Sequence, residues 1–285
     1  MDHWSAAEDR PTYIAAAPRH RNRALAAVVV ALVVAATVWA LYVRERGNTP
    51  EAPAAAPAPA EKPAGADAAP PADAAPRYEM QPRATEEPLP ALENSDAMIG
   101  KSISGLVGKK AFERFVIPDM LVRHIVATVD NLPRPTGSTR TVPLHKAPGA
   151  LAVTGSGDEL RMDASNSRRY EPYVRVFASI DAHALAERYA AAYPLFQRAY
   201  EELGYPGRHF NDRLIAAIDD LLAAPELDAP ARIVQSPVIY KFSDPDLESR
   251  SAGQKIMMRI GKENDVKVKA KLREIRREIV ALTRH

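Results

Sequence analysis

Cysteine is absent from all 285 residues. A disulfide framework, a thiolate metal centre and a cysteine nucleophile are therefore excluded. Compartment is left open, because a domain with an adequate core needs no staples. Net charge is nearly absent too. Lys and Arg number 38 against 36 Asp and Glu, a formal +2, too little to indicate nucleic acid or an acidic polymer as partner. No internal repeat is visible. The seven histidines, His3, His20, His124, His145, His183, His209 and His285, show no metal-ligand spacing, and HExxH does not occur. No serine sits in a GxSxG elbow.

Two partial motifs fail on inspection. Gly100-Lys101-Ser102 would need a glycine at position 95 to cradle phosphate, and Ser95 stands there. Asp244-Pro245-Asp246-Leu247-Glu248 alternates carboxylates as a calcium loop does. That loop needs glycine at its sixth position and glutamate at its twelfth, where Ser249 and Lys255 occur. Helix capping by Asp244 is the better reading. No catalytic residue, metal or cofactor is expected, and the chain leans away from enzymes.

What is present falls into four parts. Residues 1–23 form a short basic tail with Arg10, Arg19, Arg21 and Arg23. Residues 24–43, ALAAVVVALVVAATVWALYV, carry no charge. As a helix they would span about 30 Å, enough to cross a bilayer. The arginine excess on the N-terminal side predicts N-in and C-out, with Trp39 and Tyr42 at the outer interface. A cleavable signal peptide ending near Val38-Trp39-Ala40 is the rival reading. The length of the apolar run and of its preceding segment favours an uncleaved anchor.

Residues 44–92 are rich in proline and alanine and poor in bulky apolar side chains, which predicts a disordered linker. In polyproline II geometry it could reach about 140 Å. From about residue 93 to 285 the composition is globular. The pattern predicts an α+β fold, mainly α-helical with a small β-hairpin. Ala111–Asp130 reads as a helical face broken by Pro118. LAVTGSGDELRMD reads as two strands around a turn. Helices are expected over Ser167–Ile180, from an Asp181 cap to Leu203, and after a cap at Asn211 or Asp212. RIVQSPVIYKF reads as one or two extended segments. GQKIMMRIGKEN, residues 253–264, reads as a short helix with Ile256, Met257 and Ile260 inward, a stop at Gly261, and Asn264 capping a last helix to the C-terminus.

Two stretches stand out as candidate contact surfaces. Arg168, Arg169, Tyr170 and Tyr173 put two guanidiniums and two rings within six residues. Such a set grips an acidic or sugar-bearing ligand, or holds a semi-buried helix start through ion pairs. The second use is the commoner. The last helix spaces Val268, Leu272, Ile275, Ile279 and Leu282 as a heptad-like seam. This predicts packing on the domain, with a second copy of the chain as the alternative partner. Its remaining face, with Lys267, Lys269, Lys271, Arg273, Arg276 and Arg277, reads as solvated or facing anionic lipid or wall polymer.

Six segments, taken together and in order, carry a family resemblance. They are Leu132-Pro133-Arg134, Arg169-Tyr170-Glu171-Pro172-Tyr173, Tyr193-Pro194-Leu195-Phe196, Ala199-Tyr200-Glu201-Glu202-Leu203-Gly204-Tyr205-Pro206, Phe210-Asn211-Asp212-Arg213-Leu214 and Arg259-Ile260-Gly261-Lys262-Glu263-Asn264. From about Phe112 onward the chain resembles bacterial domain-of-unknown-function family 3014. Proline would be expected where Lys262 stands. The resemblance implies a single-pass inner-membrane protein with its domain in the periplasm. It implies no activity, and it marks Arg259, Glu263 and Asn264 as a built corner.

The expectation is a non-catalytic interaction or scaffold module of the envelope. Its partner would be an envelope protein or wall component, with Asp212 and Arg213 among the contact candidates. The alternatives are a wall hydrolase using a carboxylate pair such as Asp212 with Glu263, and a sensor binding a small anion at Arg168, Arg169 and Tyr173.

Overall fold

The computed structural model describes residues 75–284, apart from 82, 84–87, 138–139 and 237–238. The apolar run 24–43 and most of the Pro/Ala-rich segment lie outside the described residues. Among the described residues no helix is long and apolar enough to cross a membrane.

The fold is mainly helical with small antiparallel sheets, as the pattern predicts. Helices α1 (Asp96–Val107), α2 (Lys109–Phe115) and α3 (Leu121–Asn131) come first, and the Pro118 break falls between the last two. They are followed by strands β2 (Val153–Thr154) and β3 (Arg161–Met162). Helices α4 (Asn166–Ala178), α5 (Ala182–Glu202) and α6 (Phe210–Leu222) come next. Strands β4 (Ile233–Gln235) and β5 (Tyr240–Phe242) form a second hairpin, and the short α7 (Pro245–Glu248) follows. Helices α8 (Ala252–Arg259) and α9 (Lys262–Ala281) complete the helical set. The first strand, β1 (Glu79–Met80), pairs with the last, β6 (Thr283–Arg284).

Helix α9 is the spine. It packs on α4, α5 and α6, while α3 packs on α5 and α6. Val268, Leu272, Ile275 and Ile279 are all buried. These four seam residues pack inside the domain, and Leu282 is half-buried. Aromatic rings fill the space between α5 and α6: Phe196 stacks on Phe210 at 5.8 Å and Tyr189 meets Phe196 edge-on at 5.6 Å. Burial of this many apolar side chains, each contributing about 1.5–3 kcal/mol, is the main favourable term. Pro172 and Pro194 sit inside α4 and α5, where packing outweighs a lost helical hydrogen bond.

A satellite cluster sits beside the main core. Met162 of β3, Ile233 and Phe242 of the second hairpin and Met258 of α8 are its buried members. The register turns the Ile233↔Phe242 pair inward, with Tyr240 half-buried on the same face, and leaves Val234, Gln235 and Lys241 exposed.

Four expectations need correction. The folded body begins before residue 93: Met80 is buried, and β1 lies within the stretch whose composition reads as linker. Helix α6 starts at Phe210, with His209 at its cap and no side-chain cap bond. Asn211 lies inside the helix, donating through Nδ2 to the Tyr78 carbonyl and accepting from the Tyr189 hydroxyl. Gly261, and not Asn264, occupies the cap of α9. Lys269 is buried, so it does not belong to the solvated basic face. The Asp181 and Asp244 caps form as expected, accepting from the Ala184 and Asp246 amides.

Candidate functional site

The α8–α9 corner is held from three sides. At its entry, the Ala252 and Gly253 amides donate to the Arg134 and Leu132 carbonyls at 2.7 and 2.8 Å. Gly253 allows this close approach, since a Cβ there would lie 2.7 Å from Leu221 Cδ2. Ser251 Oγ caps α8 by accepting from the Gln254 amide, and donates to Asp220 Oδ2 at 2.6 Å. At the turn, Gly261 has φ +88°, and an added Cβ would lie 2.9 Å from Ser167 Cβ. Asn264 Nδ2 then donates to the Ser167 and Ile260 carbonyls, both at 2.9 Å. The corner is thereby locked onto the start of α4.

Between these pieces lies a cleft of about 240 Å³. One wall is Met162 to Ser167 with Glu171, the second is the loop Pro225 to Pro230, and the third is Met257 to Asp265. Five carboxylates line it, Asp163, Glu171, Asp228, Glu263 and Asp265, against two cations, Arg259 and Lys262. Lys262 forms an ion pair with Asp228 across the mouth. The lysine that replaces the expected proline thus bridges the corner to the opposite loop. Hydrogen bonds from Ser165 hold Asp163 below the usual carboxylate range.

Asp265 differs from the rest. It is 2% exposed, both its carboxylate oxygens are covered by protein, and its close partner is the Lys269 ammonium. Lys269 Nζ lies 3.0 Å from Oδ2, but its donated bonds go to the Ala224 carbonyl at 2.7 Å and Glu226 Oε1 at 3.1 Å. Burial pushes Asp265 up to about 6, and the Lys269 ammonium only partly offsets this. Sequence reading missed Asp265, Lys269, Glu171 and Asp228. The Asp265–Lys269 spacing was the available signal, and it is shared by any solvated helix pair.

The residues singled out from sequence separate into cleft and scaffold. Arg259, Glu263 and Asn264 are at the cleft. Arg259 Nη2 donates to the Tyr240 carbonyl at 3.1 Å, and its guanidinium lies 4.9 Å from the Phe242 ring centroid. It therefore straps the second hairpin to α8. The Arg–Tyr cluster is not assembled around a ligand space. Tyr170 and Tyr173 are buried, the latter against Phe115 at 4.5 Å. Arg169 donates to the Pro148 and Gly149 carbonyls at 3.1 and 2.6 Å, and Arg168 is exposed.

Asp212 and Arg213 lie elsewhere. Asp212 accepts from the Tyr78 and Arg77 amides, next to β1. Arg213 pairs with the buried Asp130 at 3.0 Å, where Arg134 at 2.6 Å and the Tyr205 hydroxyl at 3.2 Å also converge. Since β1 pairs with the strand that follows α9, Asp212 is at the opposite end of α9 from Glu263. That helix has 20 residues, about 30 Å of rise. Paired carboxylates of a glycosidase are about 5–10 Å apart, so Asp212 and Glu263 do not form one. Among the described residues no group of three His, Cys, Asp or Glu is placed to hold a metal ion.

No curated protein and no solved structure matches the chain. A family model with the description "Protein of unknown function (DUF3014)" matches residues 121–276. That stretch covers more than half the chain and contains Asp130 with its converging partners, the α8–α9 corner and the whole cleft wall, so the chain belongs to the DUF3014 family.

Proposed function

We propose that the chain is a non-catalytic binding module of the cell envelope, anchored in the inner membrane by residues 24–43. Residues 44–74 then hold the domain away from the bilayer on its outer side. The cleft at the α8–α9 corner carries the reading. Its volume of about 240 Å³ is below the roughly 300–1,000 Å³ of sites that enclose a small molecule. It suits one inserted side chain or a short segment of a larger partner. Its negative lining selects by charge.

A test uses the full-length chain in its own membrane, with a photo-cross-linker at Lys262 on the rim. Glu171 and Glu263 are both exposed cleft residues, and their joint change to Lys reverses the rim charge without opening the core. The expected result is one cross-linked partner that disappears in the folded double variant. Capture that is indifferent to the charge reversal overturns the reading. Protease added outside spheroplasts should remove the domain, and protection from it would exclude the outer location.

One observation favours a hydrolase as the second reading. Asp265, raised to about 6, lines the same cleft as Asp163, held low, and such a split is how acid and base roles are set. Against it, both Asp265 oxygens are covered by protein. Release of fragments from isolated wall polymer, lost in Asp265→Asn, would establish it.

A further inference from the structure

We infer that Arg134, Arg208 and Arg213, gathered around Asp130 and Tyr205 outside the cleft, receive a phosphate group. Charge is the first observation. Among the described residues Asp130 is the carboxylate in contact with Arg134 and Arg213, at 2.6 and 3.0 Å. Arg208 lies over the Tyr205 ring, 5.8 Å from its centroid, and makes no ion pair among the described residues. Three guanidiniums thus meet one carboxylate. The next acids do not restore the balance. Asp220, about two turns along α6 from Arg213, accepts from Ser251 Oγ and Gln254 Nε2, and burial raises it above the usual carboxylate range. Glu201 accepts from Gln197 Nε2.

The second observation is how the arginines are held. Arg134 donates through Nε to the Asp130 carbonyl, and through Nη2 to Asp130 Oδ2 and the Tyr205 hydroxyl. Arg213 donates through Nε to Asp130 Oδ1 and through Nη2 to the same carbonyl. One edge of each guanidinium is therefore pinned on a single residue, and the two groups lie side by side. Nη1 of each has no partner among the described residues, and neither Nη1 is covered by protein. The two side chains are 29% and 25% exposed. Charged donors of fixed direction thus face outward.

A strut between helices would not need this much charge. The Asp130 carboxylate and the C-terminal end of α3 favour one cation, and the second and third repel it. An anion on the open side offsets that repulsion. Asp130 fixes both guanidiniums before the anion arrives, which lowers the ordering cost of binding. Shape and charge select the anion. A carboxylate is planar and matches one fork. A phosphate monoester brings about two negative charges and three acceptor oxygens, enough to engage Arg134 and Arg213 together with Arg208 beside them.

The probe is glycerol phosphate, titrated by calorimetry into the full-length chain in neutral detergent micelles. Glycerol and acetate are the uncharged and carboxylate controls. A further arm dopes the micelles with a short-chain phosphatidic acid, against phosphatidylcholine. Arg208→Gln removes a guanidinium that makes only the ring contact, so it tests the site without loosening Asp130. Arg213→Lys keeps a charge beside Asp130 and loses the open fork. Glycerol phosphate is expected to saturate the chain, to weaken with salt, and to lose about tenfold or more in affinity in each variant. Glycerol and acetate should show no saturable binding. Circular dichroism melts confirm that each variant is folded.

Acetate bound as tightly as glycerol phosphate overturns the inference, as does unchanged affinity in Arg208→Gln or in a folded Arg213→Lys. Absence of saturable binding by both glycerol phosphate and phosphatidic acid overturns it as well. The lipid arm identifies the source. Phosphatidic acid that displaces glycerol phosphate assigns the site to a lipid headgroup, and glycerol phosphate bound undisturbed by the lipid assigns it to a soluble phosphate. Either result upholds the phosphate site. The cleft lies apart from these residues, so its partner is tested separately by the rim cross-link.

Discussion

A carboxylate covered by protein gives up its proton late, and Asp265 shows what that costs. Its folded value of about 6 compares with about 3.9 in an unfolded chain. Between those values the native state holds more protons than the unfolded state, so stability falls as pH rises through the window. Lys269 and Arg273 oppose the shift and Glu226 adds to it. Asp265→Asn should therefore gain stability at pH 7.5, on the order of 2 kcal/mol, with the gain fading toward pH 4. Urea melts at the two pH values check this, and a variant less stable at pH 7.5 would show that the Lys269 pair outweighs burial. Gly261 makes the opposite prediction. Its positive φ and the nearness of Ser167 each penalise a side chain, so Gly261→Ala should cost about 2 kcal/mol or more by denaturant midpoint. Sequence spacing reveals Gly261 as a helix stop, but the approach of Ser167 comes from 94 positions away in the chain. Asn264 and Asn211 look like caps for the same reason that they are not. Their amides serve carbonyls of distant elements, and the local pattern cannot show those partners.

At the scale of elements, the helices follow from apolar periodicity and the strands follow less well. Helices α4, α6 and α9 each bury a stripe that recurs every three or four residues, so their existence is legible, whereas α8 is buried along all eight residues. β1 and β6 are two residues each and pair the start of the folded body with its end, a partnership that leaves no periodic trace. The hairpins carry the other lesson. Arg259 is a candidate because it opens the Arg259–Asn264 segment that carries the family resemblance. Here Tyr240 and Phe242 draw it inward. Arg259→Ala should free the β4–β5 hairpin while the helical core persists. Hydrogen exchange is expected to accelerate at residues 233–235 and 240–242, with α3 and α5 unchanged. Uniform loosening across all helices would mean instead that α8 itself depends on the arginine. The segments that resemble the family sort in the same way. Leu132, Arg134, Tyr205 and Arg213 secure α8 and Asp130, whereas the cleft is reached by the second segment, through Glu171, and by the last.

For the whole molecule, composition separates a domain from what precedes it but places the boundary too late. Arg77 and Tyr78 are bound by Asp212, and Met80 is buried. Truncation from the N-terminus to residue 92 should therefore destabilise the domain, whereas truncation to residue 74 should leave its melting temperature within a degree or two. Equal melting of the two truncations would show that β1 adds nothing. The candidate site was legible as a corner and illegible as a cleft. Its walls come from segments near residues 163, 228 and 262, and its charge balance appears only when they meet.

The pairing of β1 with β6 also sets a mechanical order. The clasp sits at the C-terminal end of α9 and the cleft at its N-terminal end, so on the proposed reading a pull between the leash and a bound partner would run along that helix. The helix is braced along its length by its packing on α4, α5 and α6. The clasp meets the pull with two residue pairs and the two Asp212 bonds, opened one after another. Under such a load the clasp is expected to open before the packed helix, releasing the residues that precede it while the cleft stays folded.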